Sequence, residues 1–465
     1  MQRLNKLIAW IGLTAFALPV MAQEKHAFSI QQTIDYAKKN SVQVKNALLG
    51  VQLQKESNRE ITSAAFPQIN GSIGTTYNPN VATQVLPNFI GPATYQVLIN
   101  EGVKNGSGNM IVMPGDFGVI AAQFGTKYNA NVGLDLNQIL FDGQVFVGLQ
   151  ARSTSIALQN KNVEVTEETI KSNIYKVYYQ LVVGKSQLEL LDANITRLQK
   201  LSHDTKELYK NGFAEQLDIN KTEVQLANLN TEKLKVFNAL GNGYLGLKVL
   251  IGMPVRDTLM LTDSLSDEQI KDGALGLSEY KYTDRKDYEY AELGRKLNKF
   301  NIKRYQLSQI PTISLSSGYS KSAQRNQFDF FGKGDWYTIS SVSLKMSIPL
   351  FHGFATRARI AQARIQLEQT ENQIESLKLV IDEQAEVAKA NYVTAISTMD
   401  YQKKNMALAE TVYNQTKKKF EIGTGSNTEI TAAETDLKTA QTNYINAVYD
   451  AIIAKVDYLK ATGKL

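Results

Sequence analysis

Two periodicities divide the chain. Leu149, Ile156, Val163, Ile170 and Val177 recur every seven positions, and Ile360, Leu367, Ile374, Ile381 and Ala388 repeat the pattern 211 residues later. A second row, Ile174, Leu181, Leu188 and Ile195, is matched at the same offset by Ala385, Tyr392, Met399 and Met406. Sustained heptads predict long helices packed side by side along an apolar seam. Each runs about 67 residues without a proline, roughly 100 Å at 1.5 Å per residue, so an elongated molecule is expected.

Ahead of each long helix the period falls to two. Tyr128, Ala130, Val132, Leu134 and Leu136 alternate with Asn129, Asn131, Gly133, Asp135 and Asn137, and Val342, Leu344, Met346 and Ile348 alternate with Ser341, Ser343, Lys345 and Ser347. Earlier partners follow Pro67 (Ile69 to Gly74) and Pro311 (Ile313 to Ser316). Alternation of this kind predicts strands with one apolar and one polar face. Their length near ten residues, with Tyr77, Tyr128, Tyr319 and Trp336 at their ends, fits membrane strands at least as well as a half-buried sheet. The first hairpin, Pro67 to Phe141, is 34 residues longer than Pro311 to Phe351, and the excess in 78–127 reads as a Gly-, Asn- and Pro-rich loop.

The repeat extends past the heptads. Tyr209-Lys210-Asn211-Gly212 aligns with Phe420-Glu421-Ile422-Gly423, Asp218 with Glu429, Glu223 with Glu434, and Gly252 with Gly463. This ordered series predicts a duplication. Residues 23–253 form a first repeat (short helix, hairpin 66–140, long helix, helix), 254–284 an irregular polar connector, and 285–465 a second repeat with hairpin 311–350. The short first helices are expected over Gln31–Ser63 and Arg285–Gln309.

Residues 1–22 read as a secretory signal: Arg3 and Lys6, an apolar stretch from Leu7 to Val20, then Ala22. No later stretch is apolar enough for a transmembrane helix, which leaves a periplasmic, secreted or barrel-forming product. The chain has no cysteine, excluding disulfides and thiolate chemistry. The net charge of +6 is mixed along helical faces rather than clustered with aromatics, which argues against nucleic-acid binding. His26, His203 and His352 lie in unrelated segments, and no nucleophile elbow, phosphate loop or dinucleotide fingerprint occurs. No enzyme, metal or cofactor is expected.

Four strands cannot close a barrel, and an open sheet in lipid leaves backbone groups unpaired. Two chains would supply eight strands and three would supply twelve, so an oligomer is demanded without its number. Phe66-Pro67-Gln68-Ile69, Leu140-Phe141-Asp142-Gly143, Pro349-Leu350-Phe351-His352-Gly353 and the turns Asn211-Gly212-Phe213 and Ile422-Gly423-Thr424 resemble segments of TolC-like outer-membrane efflux proteins. The resemblance implies a mixed fold class: an all-α coiled-coil tunnel plus four membrane β-strands per chain, completing a trimeric 12-stranded barrel. It implies a homotrimer in the outer membrane bilayer, extending into the periplasm, with a periplasmic adaptor and an inner-membrane pump as partners. Such a channel-tunnel exports drugs, other solutes or polypeptides.

By the same resemblance Gly212, Phe213, Gly423 and Thr424 are adaptor-docking tips, and Asp218 and Glu429 belong to the periplasmic aperture. Phe420 and Gly425 replace the family's closing Tyr and Arg, which puts the family's polar latch in question. Asp218 and Glu223 are five apart, as are Glu429 and Glu434, so at most one of each pair faces a pore and the other is expected to be a solvated charge. The reading from another class is a non-conducting exported coiled-coil scaffold, which leaves the four strands unexplained.

Overall fold

A computed structural model describes residues 25–264, 267–271, 279–332 and 334–465. The expected signal at 1–22 and part of the connector lie outside them. The described residues fall into two compact units, each drawing on both halves of the sequence.

The first unit takes residues from Met1–Glu56, Ser153–Lys299 and Arg364–Leu465. Its main helices are α1 (Ile30–Asn40), α2 (Val42–Ser63), α4 (Gly143–Lys210), α5 (Gln216–Ile251), α7 (Lys286–Leu307), α8 (Ala355–Glu421) and α9 (Asn427–Ala461), of which α2, α4, α7 and α8 are shared with the second unit. The uninterrupted α4 and α8, 68 and 67 residues long, are the two expected from the heptads. Of the heptad positions, Val163, Ile170, Ile174, Leu181, Ile195, Ile374, Ile381, Ala385, Ala388, Tyr392 and Met399 are buried. Burying such a side chain contributes about 1.5–3 kcal/mol, so the seams supply the driving force that helix propensity alone does not.

Two expectations about this unit need correction. The helix expected over Gln31–Ser63 is two, because Ser41 adopts ψ 130° between α1 and α2. At this break the Asn40 carbonyl lies against Gly252, which has φ +76° and no room for a Cβ. The connector is not irregular throughout: β6 (Thr258–Leu261) pairs in parallel with β1 (Lys25–Phe28). The short α6 (Asp267–Lys271) then binds α8 through Lys403–Asp267 and Lys271–Asp400, both 2.6 Å, and a 3-10 turn (Tyr282–Asp284) follows. Tyr280 and Tyr282 likewise donate to the two oxygens of Asp382.

The second unit takes Ser57–Arg152 and Phe300–Ala363. Its centre is a four-stranded antiparallel sheet of β2 (Gln68–Tyr77), β5 (Tyr128–Phe141), β7 (Thr312–Arg325) and β8 (Tyr337–Ser347), in the order β2-β5-β7-β8. Register places Ile69, Leu136, Ser317 and Val342 in one row, and Ile73, Val132, Lys321 and Thr338 in another, all on the same face. Asn70, Asp135, Gly318 and Ser341 form a row of the other face. Period-two alternation therefore lines up across all four strands. Ile73, Leu134, Val342, Leu344 and Met346 are exposed there rather than covered by a second layer.

Near the turns of the sheet, Tyr77 stacks on Tyr128 at 4.7 Å, Phe328 meets Tyr128 and Phe330 edge-on, and Phe330 and Trp336 pack with Ala130 and Ala323. Tyr319 does not join this cluster; it opposes Leu134 and Ser340 within the apolar rows.

The stretch 78–127 is more ordered than a loop. It holds the hairpin β3 (Thr83–Pro87) and β4 (Val119–Gln123), with helix α3 (Ile90–Asn100) between them. Pro92 is tolerated in the first turn of α3, where its missing N–H is not needed. The Asn88 side chain ties the entry by accepting from Gly91 N–H and donating to the Phe117 carbonyl.

Candidate functional site

The candidate residues lie at two helix-to-helix turns. α4 ends at Lys210 and α8 at Glu421, and each is followed by a glycine in the left-handed region: Gly212 at φ +81° and Gly423 at φ +74°. The N–H groups of Phe213 and Thr424 donate to the carbonyls of Leu208 and Lys419, five residues back, closing both helices in the same way. A Cβ at either glycine would meet open space, so the backbone angle, not crowding, calls for glycine. Phe213 and Ile422 project from these turns, 81% and 74% exposed.

Asp218 and Glu429 occupy equivalent places in the first turns of α5 and α9. Asp218 Oδ2 accepts from Glu215 N–H at 3.2 Å, and Glu429 Oε2 accepts from Ser426 N–H at 3.4 Å while Ser426 Oγ accepts from Glu429 N–H. Both carboxylates thus cap helices whose first N–H groups lack intrahelical partners. The two turns are joined: Asn427 Nδ2 donates to the Asp218 carbonyl at 3.4 Å. Phe420 packs partly buried against the cluster of Leu191, Ile195, Leu198, Tyr413, Ile430 and Leu437.

The remaining pair of carboxylates behaves unequally. Glu223 is exposed and paired with Lys206 at 2.8 Å. Glu434 is not the solvated charge expected of it: it is 5% exposed, and Arg197 Nε donates to its Oε1 at 3.3 Å. Burial pushes the Glu434 carboxyl above the ordinary range, against the pull of Arg197. Nothing in the local sequence distinguishes Glu434 from Glu223, since Ile219 and Leu226 flank Glu223 as Ile430 and Leu437 flank Glu434.

No described helix is long and apolar enough to cross a membrane, and no described group of acids or histidines is placed to hold a metal. Among the described residues, the face that suits lipid is the exposed apolar side of the sheet. Strands of membrane length joined to long helical hairpins are the parts of an outer-membrane channel protein.

Comparison with known proteins agrees. The profile of the family described as outer membrane efflux protein matches residues 285–464. The outer membrane protein TolC of Vibrio cholerae is 19% identical over 336 residues, 72% of this chain and 77% of that protein. The outer membrane efflux protein BepC of Brucella suis is 20% identical over 92% of this chain and 84% of its own length. In structure, VceC of Vibrio cholerae superposes with a TM-score of 0.68 at 14% identity, covering 93% of this chain and 96% of that one. Over residues 285–464 the chain matches the outer membrane efflux protein family, and its fold is that of the TolC-like channel-tunnels, which are set in the outer membrane and extend into the periplasm. It is a channel subunit and not an enzyme.

Proposed function

We propose that three copies form one conduit that carries drugs, other solutes or polypeptides from the periplasm to the exterior, as the outer component of a tripartite efflux system. The observation that carries this reading is the sheet: β2 and β8 are unpaired edges, and one face is apolar and exposed. Such edges cannot stand in lipid unpaired. Pairing β8 of one copy with β2 of the next satisfies them, and three copies supply a closed ring with Ile69, Leu134, Leu136, Val342 and Leu344 towards lipid and Asn70, Asp135, Ser316 and Ser343 towards the lumen. The repeats 23–253 and 285–465 are then two copies of one unit, each giving two strands and one helical hairpin.

The tips at Gly212, Phe213, Gly423 and Thr424 are the docking points for a periplasmic adaptor that links the channel to an inner-membrane pump. Exposed Phe213 and Ile422 give an adaptor apolar surface to cover. Asp218 and Glu429 border the aperture, and their capping bonds fix where the carboxylates stand. Native mass measurement in detergent, with planar-bilayer recording, tests the reading. A trimer that conducts is expected; a monomer, or an assembly without conductance, returns the chain to the scaffold class.

A further inference from the structure

The duplication supplies an internal control for Glu434. At the 211-residue offset its counterpart is Glu223, and the counterpart of Lys206 is Lys417. In the first hairpin, α4–α5, Glu223 takes its own hairpin's lysine, Lys206. In the second hairpin, α8–α9, the same lysine is present. Glu434 nevertheless turns away from it to Arg197 on α4, across the boundary between the hairpins. The reason is visible at the same offset: Leu408 stands where Arg197 would repeat, so only one direction across the boundary offers a guanidinium.

Arg197 is held from three sides. Its Nη2 donates to Asn194 Oδ1 on α4, its guanidinium lies 5.7 Å from the Tyr413 ring centre on α8, and Nε reaches Glu434 on α9. The bond to Glu434 satisfies only half of the carboxylate: Glu434 Oε2 is buried without a hydrogen-bond partner among the described residues. Asn427 Oδ1, Thr431 Oγ1 and Gln441 Oε1 are in the same condition, four, three and seven residues apart along one side of α9. A buried ion pair flanked by unsatisfied oxygens is a weak join, whereas loss of one partner is costly because it strands a charge. Lys417 removes that penalty. It is 40% exposed and held only at 3.9 Å by Glu421, free to accept the carboxylate.

We infer that Glu434 is a two-partner switch: paired with Arg197 it couples the hairpin α8–α9 to the hairpin α4–α5, and paired with Lys417 it releases them. The repeat displays both pairings in one chain, the released one at Lys206–Glu223 and the coupled one at Arg197–Glu434. Because a cation meets the carboxylate in either arrangement, passage between them is not blocked by a stranded charge, as a bistable element requires.

Hydrogen–deuterium exchange on the full chain in detergent tests this independently of transport. Arg197→Leu, which copies Leu408, is expected to accelerate exchange in the first turns of α9 and in 193–201 by at least about tenfold, as roughly 1.4 kcal/mol of lost coupling would do. Lys417→Met, which removes the alternative partner, is expected to slow exchange in the same segments. Unchanged rates in a folded Arg197→Leu chain overturn the proposal. If that variant does not fold, unchanged or faster exchange in Lys417→Met overturns it equally.

Discussion

Arginine placed in turn at Val342, Ser343 and Thr338 probes which face of the sheet lies against lipid. On the apolar face, the rows from Ile313 and Met346 to Lys321 and Thr338 span eight residues of β7. That is about 27 Å along the strand at roughly 3.4 Å per residue, and about 20 Å along the membrane normal at a tilt near 40°. Val342, opposite Ser317, stands in the middle row and is 76% exposed. Thr338 shares its row with native Lys321, at the rim next to the aromatic cluster. Val342→Arg should therefore cost about 2–4 kcal/mol, and Thr338→Arg about 0–1 kcal/mol. Ser343→Arg points into the opposite, polar face beside Ser316 and should cost little. Urea titration of the protein folded into lipid vesicles, with heat-modifiable gel migration as a second readout, measures all three. Equal losses at 342 and 338 would refute the depth argument, and the greatest loss at 343 would invert the faces.

Other sites give independent tests. Gly423→Val should destabilise the turn by about 1–2 kcal/mol, since a β-branched residue must hold the left-handed angle; thermal unfolding checks it, and an adaptor-binding defect beyond this loss marks docking. Glu429→Gln should weaken cation selectivity in single-channel recording while leaving conductance, and unchanged selectivity reduces Glu429 to a helix cap. Tyr392→Phe removes the donor to the Ile270 carbonyl, a buried 2.8 Å bond, and should cost about 1–3 kcal/mol in chemical unfolding. Glu434 carries a pH signature. Its raised pKa means the folded chain binds this proton more readily than the unfolded one, whose carboxyl titrates near 4.5. The contribution is full below that value and is lost as pH rises through the raised pKa. Arg197, Tyr413 and Lys417 are the charged and titratable groups that face the carboxylate. Wild type should gain thermal stability on acidification towards pH 5, and Glu434→Gln should lack that increment.

Periodicity alone determined the elements whose burial is repetitive. The seams of α4 and α8 were legible because a heptad row can be satisfied only by a long helix lying on a partner. The two faces of the sheet were legible because a period of two admits no other register once one face is apolar. The left-handed turns at Gly212 and Gly423 could also be read, since few residues but glycine hold that angle. What escaped were single events decided by distant partners. The break at Ser41 depends on Gly252 meeting the Asn40 carbonyl, and the pairing of β1 with β6 joins four-residue strands more than 200 residues apart. Helix α3 formed in a stretch whose glycines and prolines pointed to a loop, with Asn88 side-chain bonds holding its entry. Above all, Glu223 and Glu434 are indistinguishable in sequence, yet one is solvated and the other buried on Arg197. A charge's environment is set by which helices converge around it, and only the tertiary structure brings α4, α8 and α9 to one point.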